Sequence, residues 1–143
     1  MRRIAALVLI VCGMCGSGMC QYSAVFSSYH NDKRYDFRIT PEQLAKTPAW
    51  LEDQPNPPLP ARRALAIAVA YLGNLFVDAD EWRRSAIALV PVGDRWVYSI
   101  EFTEPPRSGC ADCLSTPFRV VVMMDGVAVS TSVSPWKPQT STH

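Results

Sequence analysis

The stretch from Pro60 to Asn74 constrains the fold more than any other part of the chain. Pro60 suits a helix start, and Gly73-Asn74 reads as its stop, so the pattern predicts a helix from Ala61 to about Leu72. Leu65, Ala68, Val69 and Leu72 fall on one stripe, and Ala64, Ile67, Ala70 and Tyr71 widen it almost all the way round. A helix so apolar must be largely covered, most simply by a sheet lying across it.

The segments that follow supply that sheet. Ser85 to Val90 reads as a strand, Pro91 to Asp94 as a turn with Gly93-Asp94 at its tip, and Arg95 to Thr103 as the cleanest strand of the chain. On that strand Trp96, Tyr98, Ile100 and Phe102 share one face; Val97, Ser99 and Glu101 share the other. Phe118 to Met124 and Val127 to Val133 read as two further strands around Asp125-Gly126, a type I′ hairpin signal. Upstream, Tyr35 to Ile39 alternates like a short strand. Thr40-Pro-Glu-Gln43 carries the N-cap, first-position proline and acidic first turn of a short helix that stops before Pro48. Asp53 to Pro60 is a proline-stiffened connector.

These elements predict an α+β fold, with one central helix on a four-stranded antiparallel sheet and a short strand and helix before it. Their order resembles the cystatin-like or PepSY-like arrangement over residues 57–133. The resemblance implies an exported module that binds or restrains partners rather than catalyses. The inhibitory cystatin pattern Gln-x-Val-x-Gly is absent, and Pro135-Trp136 falls after the last strand rather than in a hairpin loop. No inhibitory residue is therefore carried over.

The first twenty residues point outside the cell. Arg2 and Arg3 precede the apolar run Ile4 to Val11, and Cys12 to Gly18 is a small-residue stretch, together the pattern of a bacterial secretory signal peptide. The apolar run is well short of the ~20 residues of a spanning helix. The expected organisation is therefore a signal peptide over 1–20, a flexible lead-in over 21–34, one domain over 35–133 and a disordered tail over 134–143. The protein is expected to be exported, periplasmic or secreted, with no transmembrane helix in its mature form. Cys20 opens a second branch, a lipid-anchored envelope protein, although Ser17 and Met19 are not the residues that such processing favours.

Charge excludes one class of partner. Without Arg2 and Arg3, twelve of the fourteen basic residues face thirteen acidic ones. No basic field remains to attract nucleic acid, so the expected partner is a protein or an envelope component.

Chemistry-bearing patterns are sparse. Cys110-Ala-Asp-Cys113 reads as a local disulfide pinning a loop, permitted by an oxidising compartment. The rival readings are a redox dithiol, which would want a helix N-terminus, and a metal site, which would want more ligands. Asp78, Asp80 and Glu81 read as a polar connection, since a calcium loop needs a longer alternation of ligands and a turn glycine. His30 is the one candidate base before the C-terminal His143, and its polar surroundings predict a surface residue. Neither a nucleophile elbow nor a phosphate-binding glycine loop occurs. No cofactor is expected. Trp96, Tyr98 and Phe102, with Phe118, are expected to be core beneath the helix rather than a ligand platform. A non-catalytic binding module would then act through a solvated sheet face and the cysteine loop, with Glu101, Asp112 and Arg119 as its candidate surface.

Overall fold

The structure, a computed structural model, describes residues 23–105 and 116–137. It begins with a hairpin. β1 (Ala24–His30) and β2 (Lys33–Ile39) pair antiparallel around Asn31-Asp32, whose φ angles of 47° and 56° make a type I′ turn. Residues 24–34 are thus ordered strand and turn, not the flexible lead-in expected. Their alternation is hard to see because two inward positions of β1, Ser28 and His30, are polar. β2 shows it plainly: Tyr35, Phe37 and Ile39 are buried, with Asp36 and Arg38 between them.

The short helix α1 (Pro41–Lys46) forms as its cap predicts. The Gln43 N–H donates to Thr40 Oγ1, and the Thr40 N–H donates back to Gln43 Oε1, a reciprocal capping box. The proline connector follows and leads into α2 (Ala61–Leu75). This helix runs through Gly73, where an added Cβ would meet nothing within 4 Å, and ends at Phe76, which turns extended. Its buried stripe is narrower than the sequence suggests. Ala64, Ala68 and Leu72, each four residues apart, face the core, while Val69 is 49% exposed. Two alanines on that stripe let the helix approach the sheet closely, so a narrow contact suffices.

A 3₁₀ turn, Ala79–Glu81, delivers the chain to β3 (Arg83–Val92), β4 (Arg95–Thr103) and β5 (Phe118–Met123). These form an antiparallel sheet in the order β3-β4-β5. The fourth strand of the expected meander is missing from it. After β5 a three-residue loop ends on Gly126 at φ 84°, so the turn is not type I′. Only Val127–Val129 return along β5: the Met123 N–H donates to Val127 O, and the Val129 N–H donates to Val121 O. The chain then crosses over, and β6 (Thr131–Pro135) pairs with β2 in a second sheet of order β1-β2-β6.

The fold is therefore two three-stranded antiparallel sheets with one long helix, not a helix on a four-stranded sheet. The cause lies at the outer edge of β5. Ser28 Oγ accepts from the Arg119 N–H at 2.8 Å and donates to the Arg119 carbonyl at 3.3 Å, so β1 already occupies the place where a full fourth strand would pair. The ordered chain also reaches beyond the expected domain end, since the Trp136 N–H donates to Asp32 O and its ring packs 4.7 Å from that of Tyr29.

One core joins both sheets. Phe118 sits at the junction, with Tyr35, Phe37, Phe76 and Trp82 around it at ring separations of 5.0 to 6.1 Å. Tyr98, Phe102 and Phe118 are core, as expected, but Trp96 is only partly buried and packs 5.8 Å from the ring of Trp50. The opposite face of β4 and β5 is not the solvated surface expected: Val97 and Val121 are fully buried and Ser99 is 4% exposed. Thr47, just after α1, reaches this face, its Oγ1 lying 3.6 Å from Met123 Sδ.

Candidate functional site

Of the three residues expected to form a binding surface, the structure brings two together. Glu101 and Arg119 stand directly opposite on β4 and β5. Arg119 Nη2 donates to Glu101 Oε1 at 2.7 Å, and both side chains are partly exposed. Each is the other's partner through this one bond, while the buried Arg119 Nε has no hydrogen-bond partner among the described residues. Asp112, the Cys110–Cys113 pair and Cys20 lie outside the described residues.

His30 is not the surface residue expected. At the end of β1 its ring lies edge-on to Phe76 and Trp82, with centroids 4.9 and 5.0 Å away. Its Nε2 lies 2.8 Å from Asn31 Nδ2, and its Nδ1 lies 3.6 Å from Glu104 Oε2. Tyr29, Asp32, Thr116 and Trp136 complete a pocket of about 420 Å³. No serine or threonine hydroxyl of the described residues hydrogen-bonds to the imidazole, so a nucleophile–base pair is not assembled there from them. Nor do the described residues hold a group of three or more His, Cys, Asp or Glu able to bind a metal ion.

The third site is apolar and the sequence reading missed it. The proline connector stands off from sheet β3-β4-β5 and leaves an open groove of about 750 Å³, lined by Asn56, Pro57, Pro60, Ala61, Ile87, Leu89 and Tyr98. Tyr98 fixes its geometry, because the buried phenol donates to the Leu59 carbonyl at 2.8 Å and so ties the connector to the sheet. Desolvation raises the Tyr98 pKa above its ordinary value, which keeps that donor protonated.

Along one wall of the groove runs the outer edge of β3, which pairs with no further strand among the described residues. Val92 and Arg95 flank the two-residue turn Gly93-Asp94, in which Gly93 has φ 60°, so they close the hairpin as a hydrogen-bonded pair. Alternation then points the peptide groups of Val90 and Ala88 at β4 and those of Leu89 and Ile87 outward. Pro91 also stands at an outward position, where its missing N–H costs the ladder nothing. At the other end a bulge between Arg84 and Ala86 breaks the register. The open edge is thus a window two residues wide, beside an apolar trough. The strand containing Pro91 carries the one sequence signal that points to it, since a proline inside a strand marks an edge.

No family model, curated protein or solved structure matches the chain. Among the described residues, no helix is long and apolar enough to cross a membrane.

Proposed function

We propose that the chain is an exported, non-catalytic interaction module that receives an extended protein segment along β3 and in the groove under the proline connector. The observation that carries this reading is the coincidence of two features at one place. Outward N–H and C=O groups of Ile87 and Leu89 offer main-chain pairing, and the groove between their side chains and Pro57 and Pro60 offers apolar burial. An added strand uses both: backbone bonds set its direction, and alternate side chains enter the trough. Four backbone bonds at about 1 kcal/mol each make a weak complex by themselves. Apolar side chains entering the groove must therefore supply much of the affinity.

The test is titration of the isotope-labelled protein with a soluble, end-blocked heptapeptide of alternating valine and threonine. The reading expects amide shifts centred on Ile87 and Leu89, and their loss in Leu89→Pro, which removes one outward donor. Shifts confined to other surfaces, or none at millimolar peptide, would refute it.

A further inference from the structure

The β3 edge is complementary to itself. We propose that two copies of this chain pair antiparallel through β3, about a two-fold axis at Ala88, to make one continuous six-stranded sheet. This rests on the reading of the β3 edge given above and names the partner of that edge as a second copy.

The register follows from the window. Outward-facing residues exchange hydrogen bonds only with outward-facing residues, and each copy has two regular ones between the bulge and Pro91. Both are used in both copies when Ile87 stands opposite Leu89 of the partner subunit and Leu89 opposite Ile87 of the partner subunit. Ala88 then faces its own equivalent as a non-hydrogen-bonded pair, the closer kind, and its small exposed side chain leaves room for that approach. Cross-strand pairs share a face, so two isoleucines and two leucines meet beside the grooves, which buries the side chains that β3 leaves half exposed. Charge agrees with the direction. Arg83 and Arg84 are exposed at one end of β3; from the other projects Asp94, whose side chain stays 81% exposed although its Oδ1 lies 3.8 Å from Arg95 Nε. Antiparallel pairing about Ala88 sets the basic end of each copy beside the aspartate of the other, twice. Parallel pairing would set like ends together.

Sedimentation of the full chain over a range of concentrations tests the association, and cysteine crosslinking tests the register. The wild type is expected to shift from monomer to dimer as concentration rises. Leu89→Pro, with its thermal unfolding checked, should remain monomeric. Ala88→Cys should give a covalent dimer on mild oxidation, because the paired Cα atoms lie about 4.5 Å apart. Ala86→Cys, against the same background of native cysteines, should not, since its equivalent lies four residues along the strand, about 13 Å away. A wild type that stays monomeric throughout overturns the dimer. If the heptapeptide still shifts the Ile87 and Leu89 amides, the binding-edge reading survives that result; if it does not, both fall. A dimer that crosslinks equally at position 86, or that persists in Leu89→Pro, overturns the proposed pairing.

Discussion

The two outer edges of sheet β3-β4-β5 are treated in opposite ways. At β5 the outward groups of Arg119 are taken by the Ser28 hydroxyl, and those of Val121 and Met123 bond the returning segment Val127–Val129. At β3, among the described residues, only the ends are guarded, by the paired arginines and the bulge on one side and by Pro91 on the other. Arginines, a bulge and a proline are common devices against unwanted strand pairing. Here they shorten the open edge without closing it. The contrast shows how one sheet can be sealed where it meets the rest of the fold and still offer a defined two-residue opening elsewhere.

The sharpest way to break this contrast is to remove what holds the sealed side. Phe118 is fully buried where both sheets meet. Phe118→Ala should cost about 3–5 kcal/mol, read as a large fall in the denaturation midpoint, with the two sheets uncoupled; a loss below about 1 kcal/mol would contradict the junction. Ser28→Ala comes next. It orphans a donor and an acceptor of Arg119 at once, and should cost about 1–3 kcal/mol while speeding exchange of the Arg119 amide.

An electrostatic control touches neither edge. The Ser27 hydroxyl, at 2.6 Å, and then the Arg34 guanidinium, at 2.8 Å, hold the Asp36 carboxyl below its ordinary pKa, against desolvation that pushes it up. Because the folded value is the lower one, the stabilisation is present above the unfolded pKa and is lost as pH falls through the folded value. Acid titration of stability should show that loss in the wild type and a flatter profile in Asp36→Asn. Smallest of all is Leu89→Pro, which should change stability by about 1 kcal/mol or less, because its N–H leaves the ladder intact.

Local chemistry made much of this fold legible. The capping box at Thr40 and Gln43, the connector prolines and the alternation of β4 all produce the elements their patterns imply. The sequence misleads where a residue's role is set from afar. Ser28 and His30 obscure the alternation of β1 because one bonds Arg119, ninety-one positions away, and the other packs on Phe76 and Trp82. Gly73 does not stop α2, since it does not take the positive φ of a glycine cap, and the helix instead ends where Phe76 joins the aromatic cluster. The crossing of β6 to the other sheet has no local signal, since it depends on an edge already occupied by β1. The groove was equally hidden: its walls come from the connector and β3, and Tyr98, read as core, is also the bond that ties them.

The most direct test of this account is residue-resolved amide hydrogen exchange on dilute protein. It predicts slow exchange at Arg119, Ala88 and Val90, and fast exchange at Ile87 and Leu89. Protection of Ile87 and Leu89 equal to that of Ala88 and Val90 at every concentration, or fast exchange at Arg119, would contradict the claim that one edge is sealed and the other open.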